Sequence, residues 1–400
     1  VQSPRSAPLA ASLAALAVGG FGIGTTEFAT MGVLPEVTGD LGATIPEGGH
    51  LVSAYALGVV VGAPLLAVLG AKLQRTTLLL LLLVGVAVGN AASALAPGFG
   101  SLLVARFAAG LPHGAYFGIG AVVAAALAPP DRRARAVAFV MLGLTIANLL
   151  GVPVATWLGQ ELGWRTTYGF VAVVGLLAVA AVARYVPAVP AQEGATARQE
   201  LGALRRRQVW LALLTGAIGF GGFFAVYSYI SPTLTDVTGT SESVVPVILA
   251  VFGVGMTLGT LVGGRLADWS IPRTVLLGLG ANAVLLVLFT WTAHALVPAA
   301  VTLLLFAATG SAMIPALQMR LMDVSPDAQS LAAALHHSAL NVANALGAWL
   351  GGLVIALGWG YTAPAAVGAV LALLGIVVFA YSVRSDRVRQ RARAVELAAA

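Results

Sequence analysis

Apolar runs of about 20 residues, the length that crosses a hydrocarbon core as a helix, recur twelve times along this chain. They fall at 11–34, 48–70, 77–96, 101–127, 137–159 and 166–186, then at 209–233, 244–264, 274–294, 297–318, 329–355 and 361–383. Between the sixth and seventh the chain turns polar, with Pro187, Pro190, Glu193, Arg198, Glu200 and the run Arg205-Arg206-Arg207. The pattern predicts an all-α membrane protein of twelve transmembrane helices: a six-helix bundle over 1–186, a cytoplasmic linker over 187–208, and a second six-helix bundle over 209–400 that ends in a basic tail. The first run follows Arg5 and continues past Gly19 to Leu34 without a good cleavage site, so it reads as a retained helix and not a secretory signal.

The cations orient these spans. With the N-terminus in the cytoplasm, 19 of the 21 Lys and Arg residues fall on the inner side, among them Lys72, Arg75, Arg132, Arg133, Arg135, Arg184 and the tail residues Arg384, Arg387, Arg389, Arg391 and Arg393. Only Arg165 lies outside and Arg106 lies within a span, so both termini are expected to be cytoplasmic. The net charge of +6 is thereby explained by loops and tail, not by a nucleic-acid partner, and the basic tail suits lipid headgroups. At 59% hydrophobic and 9% charged, against about 25% charged for soluble domains, the composition excludes a soluble enzyme. The absence of Cys removes disulfides, thiolate metal sites and thiol nucleophiles.

The two halves resemble each other. Ala147-Asn148-Leu149-Leu150-Gly151 corresponds to Ala343-Asn344-Ala345-Leu346-Gly347, Pro130-Asp131 to Pro326-Asp327, Leu162-Gly163-Trp164 to Leu357-Gly358-Trp359, and Arg75-Thr76-Thr77-Leu78 to Arg273-Thr274-Val275-Leu276. Six spans repeated in parallel give two bundles related by a pseudo-two-fold axis along the membrane normal, with a cavity between them near the midplane. Such an arrangement carries solutes across a membrane.

In the second half, the stretch from Gly264 to Arg273, GRLADWSIPR, is similar to the signature loop of the major facilitator superfamily, and the resemblance extends over essentially the whole chain. It implies a conformational latch: glycine lets helix ends approach, while Asp268 at a helix end binds cations, with Arg265, Arg273 and Arg320 as candidates. The corresponding first-half loop, Gly70-Ala71-Lys72-Leu73-Gln74-Arg75, lacks the Asp. Arg106-Phe107-Ala108-Ala109-Gly110 is similar to the family's membrane-embedded Arg motif. Gly143 through Gly151-Val152-Pro153 to Gly159 resembles its antiporter motif without the terminal Gly-Gly. Gly24-Thr25-Thr26-Glu27-Phe28 and Gly110-Leu111-Pro112-His113-Gly114 resemble the branch that holds proton-driven drug and metabolite efflux proteins, including phenicol exporters and those named for sugar or nucleoside efflux. The resemblance implies a monomeric, proton-coupled antiporter of the inner (cytoplasmic) membrane that works by alternating access.

An ionisable group at membrane depth is a functional candidate because it costs about 2.5–3.5 kcal/mol on insertion scales. Glu27 is the one carboxylate well inside a span, about 12 Å from the outer end at 1.5 Å per residue; Arg106 lies about 7–8 Å from the same face. The two are expected to meet, either as a proton-exchanging pair or as a permanent structural ion pair. His113, seven residues after Arg106, shares its helix face and is either a proton relay or a neutral hydrogen-bonded side chain. His336 and His337 point about 100° apart on a helix of 3.6 residues per turn, so at most one looks squarely into the cavity. His336, with Asn344 eight residues on, is the candidate, and the choice stays open. Asn148 and Asn344 serve interhelix hydrogen bonds or substrate contact. Phe28, Phe224 and Tyr227 are candidates to wall an apolar pocket, with Phe21 and Tyr229 beside them.

The leading reading is thus a secondary-active exporter of a small drug-like molecule or metabolite; the alternative is an uncoupled facilitator or importer of a sugar or nucleoside. No H-E-x-x-H, G-x-S-x-G or G-x-x-x-x-G-K-[ST] motif points to an enzyme, a metal or an ATP cofactor.

Overall fold

The computed structural model describes residues 9–70, 72–129, 132–190, 203–325 and 329–399. Arg5, Pro130-Asp131, Pro326-Asp327 and linker residues 191–202, with Arg198, lie outside the described residues. Every regular element among those described is helical. The first half comprises α1 (Leu9–Gly32), the short α2 (Leu34–Leu41), α3 (Ile45–Leu69), α4 (Arg75–Ala94), α5 (Phe99–Leu127), α6 (Arg133–Ile146), α7 (Val152–Leu162) and α8 (Arg165–Tyr185). The second comprises α9 (Arg207–Gly219), α10 (Gly221–Ser228), α11 (Val245–Thr292), α12 (Leu296–Asp323), α13 (Gln329–Ala356) and α14 (Ala363–Ala399).

Interruptions follow the imino and small residues. A π-helical turn over Ala147–Gly151 joins α6 to α7 immediately ahead of Pro153, which has no N–H to give the carbonyl four residues back. A second π-turn, Thr233–Val237, follows Pro232. Helix α2 ends at Gly42, whose φ of 64° is a left-handed cap open to glycine at little cost.

Eleven described helical segments are long and apolar enough to cross a membrane. The eighth and ninth apolar runs of the sequence share one of them, because α11 carries 48 residues. At 1.5 Å per residue that is about 72 Å, more than twice the roughly 30 Å of a hydrocarbon core. The chain leaves helical geometry inside it at Ser270 (φ −170°, ψ 107°), two residues before Pro272. The basic tail is also not a separate element: it continues α14.

The internal repeat is visible in backbone packing. A Cβ on Gly58 of α3 would stand 2.1 Å from the Phe107 carbonyl oxygen of α5, and one on Gly62 2.1 Å from that of Leu111. In the second half Gly255 and Gly259 of α11 meet the carbonyls of Leu304 and Ala308 of α12 in the same way, at 2.4 and 2.1 Å. Each of these four residues stands 197 positions after its counterpart. Both halves therefore seat one helix on another through glycine, at a spacing no side chain permits.

The halves meet along α3 and α13 and along the π-turn and α11. Ser53 Oγ donates to the Ala345 carbonyl at 3.2 Å, the Tyr229 hydroxyl occupies the space above Gly49, and the Asn148 carbonyl abuts Gly253. The first and second of these contacts lie toward the end of the bundle that carries Asp40; the opposite end carries most of the arginines.

Candidate functional site

Four helices of the first half converge on Arg106. Its side chain is fully buried on α5. Nη1 donates to Thr26 Oγ1 and Nη2 to the Thr26 carbonyl, both at 2.9 Å, while the guanidinium lies over the rings of Tyr55 (4.4 Å) and Tyr168 (5.4 Å). Thr26 Oγ1 in turn donates to Asn90 Oδ1 of α4, and Tyr168 shares a 3.1 Å hydrogen bond with Thr30 of α1. Burying an isolated cation costs several kcal/mol. Two charge-assisted hydrogen bonds at about 1.5–3 kcal/mol each, with desolvated aromatic faces worth about 2, offset a cost of that size. Arg106 is thus accommodated with no carboxylate on it.

Glu27, the next residue along α1, is 6% exposed, and its Oε2 stands 4.0 Å from His113 Nε2. Among the described residues its ion-pair partner is this histidine and not Arg106. No ion pair within 4.0 Å joins Glu27 to Arg106: the guanidinium acts on the carboxylate only through space and is directed onto Thr26, one residue and about 100° of helix away. The other ring nitrogen of His113, Nδ1, lies 3.1 Å from the Tyr55 hydroxyl, which holds the ring in register. Tyr55 thus touches both Arg106 and His113, which confirms that these two share one face of α5.

His113 also faces the second half. Its ring centroid is 6.4 Å from that of His337 on α13, and His337 stacks on Phe117 at 5.6 Å and 10°. Of the adjacent histidines it is His337 that sits between the halves, partly exposed; His336 is buried with Nε2 unpartnered. The spacing to Asn344 favours His336, but of the two rings it is His337 that meets Phe117 and His113 of the other half.

The aromatic candidates do assemble. Phe28 of α1 packs on Phe224 at 6.3 Å and on Tyr227 at 5.5 Å, both of α10, and Tyr227 stacks on Phe252 of α11 at 4.4 Å. All four are buried, so they form a wall shared by the halves and not an interface belt. The Tyr227 hydroxyl, Asn148 Oδ1 and both side-chain polar atoms of Asn344 are buried without hydrogen-bond partners. Asn148 Nδ2 returns to the Leu144 carbonyl of its own helix at 3.0 Å. The pair of asparagines therefore does not bond across helices, and their unmet capacity is available to a water or a solute.

At the arginine-rich end Asp268 and Arg265 are exposed, and Arg273 lies over Trp269 at 5.0 Å. Arg320 pairs with Asp386 of α14 at 3.0 Å, not with Asp268 or Asp323. It shares only a cleft of about 450 Å³ with those two and Ser270.

Thr26, Tyr55, Asn90, Tyr168 and Phe117 escaped the reading of site residues. Tyr55 and Asn90 left a signal, a polar tip inside an otherwise apolar run; the others depend on which faces the fold opposes.

Residues 16–237 and 222–399 match the sequence profile of the Major Facilitator Superfamily. The chain is 40% identical over 374 residues to "Inner membrane transport protein YdhP" of Escherichia coli (strain K12), covering 94% of this chain and 96% of that one. It is 35% identical over 356 residues to "Chloramphenicol resistance protein" of Streptomyces lividans, covering 87% and 88%. The fold superposes with a TM-score of 0.74, at 16% identity and 93% and 96% coverage, on a bacterial homolog to the human lysosomal transporter Spinster in an inward-facing and occupied conformation. With its eleven membrane-length helical segments, its paired glycine seams and these matches over nearly its whole length, the chain belongs to the Major Facilitator Superfamily of multi-pass membrane transporters.

Proposed function

We propose that this transporter is a proton-coupled antiporter that exports a small drug-like molecule or metabolite by alternating access. The observation that carries the reading is Glu27: a carboxylate at membrane depth, within 4.0 Å of an imidazole, with Arg106 near it but hydrogen-bonded to Thr26 instead. A permanent ion pair with Arg106 would fix its charge. Set against His113 it is free to exchange a proton as its surroundings change. Arg106 then acts as a positioning residue that fixes α1 through Thr26 and so fixes where the carboxylate stands.

The substrate sits, in this reading, against Phe28, Phe224 and Tyr227, with the unpartnered polar atoms of Asn148 and Asn344 as hydrogen-bonding points. Read as two crossings that meet at the Ser270 break, α11 brings the eleven segments to the twelve of this reading. The cation distribution puts both termini in the cytoplasm, the Asp40 end outside, and a single polypeptide in the inner membrane. The contacts at Gly49 and Ser53 then close the outer side. Asp268, with Arg265 and Arg273 at the Ser270 break and Arg320 across the cleft, is placed to latch the opposite conformation. The relative named for chloramphenicol resistance supports trying phenicols first.

The test is transport by purified protein in liposomes with an internal pH dye, challenged with phenicols, lipophilic cations, nucleosides and sugars. Proton movement that depends on one of these solutes and is lost in Glu27→Gln is the expected result. Solute uptake without proton movement in the unmodified protein would make it a facilitator.

A further inference from the structure

We propose that His337 is a second proton station, which accepts protons from His113 across the seam between the two halves and delivers them toward the arginine-rich end of the bundle. The inference rests on the antiport reading above and adds to it the route by which Glu27 communicates with solvent.

Three observations carry it. Glu27, His113 and His337 form a series, with Glu27 Oε2 4.0 Å from His113 Nε2 and the two imidazole centroids 6.4 Å apart. The series crosses from the first half to the second, and its last member is the partly exposed one, whereas Glu27 and His113 are buried. Phe117, one turn beyond His113 toward the arginine-rich end, stacks on His337 and holds it at the seam. The groups that face the series are Arg106, which acts on Glu27 and lies over Tyr55, Tyr227 facing Glu27 from α10, Tyr55 on His113 Nδ1, and His336, whose ring is 5.8 Å from that of His337.

The transfer balances without any other reactant than water. The Glu27 carboxyl gives its proton to the lone pair on His113 Nε2, leaving a carboxylate and an imidazolium whose Nδ1–H stays on the Tyr55 hydroxyl. The same Nε2 proton passes through one water to the unprotonated ring nitrogen of His337. His113 returns to its neutral form, and His337 releases its proton to solvent. Only O–H and N–H bonds form and break. Because His113 and His337 belong to different halves, a rocking motion of one half against the other separates them. The route to the arginine-rich end then exists in this conformation and is cut in the opposite one, as coupling without leak requires.

The experiment follows Glu27 itself and needs no transported solute. Purified protein in lipid nanodiscs is jumped from above to below neutral pH, and protonation is followed by time-resolved infrared absorption at the carboxyl band that Glu27→Gln abolishes. In His337→Gln, and in His337→Phe which keeps the stack on Phe117, the band is expected to rise at least about tenfold more slowly to the same final amplitude. His336→Gln keeps the original rate. Original rates in both His337 variants would overturn the relay while leaving Glu27 as the exchanging group. A spectrum with no titrating band that Glu27→Gln removes would overturn the antiport reading, and the relay with it.

Discussion

The Arg106 guanidinium holds Thr26 by both its hydroxyl and its carbonyl, so the strongest cation in the membrane interior grips the backbone beside Glu27 and not Glu27 itself. A fork of two parallel donors is something lysine cannot supply. Arg106→Lys is therefore expected to behave nearly as Arg106→Gln, each lowering stability by about 2–4 kcal/mol. Thr26→Val removes one bond of the two and should cost about 1–2 kcal/mol. In a double-mutant cycle the two losses should fall short of additivity, since they share the Nη1 to Oγ1 bond. Denaturant unfolding in detergent of the single and double variants measures this; additive losses would mean that the contact contributes nothing of its own.

The paired glycine seams allow an internal comparison. Gly58→Ala and Gly259→Ala place a methyl group at the same 2.1 Å from a carbonyl oxygen, in the first and second halves respectively. Both should lower stability by about 1–3 kcal/mol, the usual range for overpacking. Gly58, however, presses on Phe107, the neighbour of Arg106, whereas Gly259 presses on Ala308, whose neighbour is the apolar Ala307. Proton movement per solute transported is thus expected to fall in Gly58→Ala and to be kept in Gly259→Ala. Assays of both variants well below their melting temperatures separate the two effects.

What was legible in the sequence was chemistry at the level of the single residue and the single helix. Glu27, Arg106 and His113 announce themselves as ionisable groups in apolar runs, and seven-residue spacing correctly puts the last two on one face, where Tyr55 touches both. Which groups they meet depends on the rotation of α1 about its axis, and no periodicity records that: about 100° decides between Glu27 and Thr26. The same increment separates His336 from His337, and there the deciding neighbour, Phe117, is 220 positions away in the other half. Asp386 reads as one more charge in a basic tail, and only the packing of α14 against α12 brings it to Arg320. The break within α11 was legible only in part, because the two apolar runs predict a polar loop where the backbone needs a single non-helical residue.

Outside the spans, Asp40 ties α2 to the turn before α8. Arg165 donates to its Oδ2 at 2.7 Å and Trp164 Nε1 at 2.8 Å, and these two bonds, the arginine's first, hold its carboxyl below the usual carboxylate range. A group whose folded-state pKa is depressed stabilises above its unfolded value, about 3.9, and loses that contribution as the pH falls through the folded value. Asp40→Asn is accordingly expected to melt below the unmodified protein at neutral pH, with the gap closing in acid. Both partners are exposed, so added salt should narrow the gap as well. Melting temperatures across pH and salt check this; a gap independent of pH would assign the effect to Trp164 alone.

Arg320 is where the expected latch and the observed contact part. It reaches Asp386 at 3.0 Å and Gln208 Oε1 at 3.3 Å, while Gln208 donates to Ser385 Oγ at 2.9 Å and accepts from Ser382 Oγ at 2.8 Å. Three helices of one half, α9, α12 and α14, are stitched together by this cluster, and a cluster internal to one half persists while the halves move against each other. It is therefore read as a fixed staple, whereas Asp268 stands on the rim of the neighbouring cleft, and as the proposed latch it would act in the alternate conformation. Asp386→Asn should speed amide hydrogen exchange in α14 beyond Ser382 and cost about 1–2 kcal/mol, in the range of one partly buried charged hydrogen bond. Asp268→Asn should leave that exchange unchanged and slow transport. Faster exchange of α14 in both variants would place Asp268 in the staple and remove it from the latch.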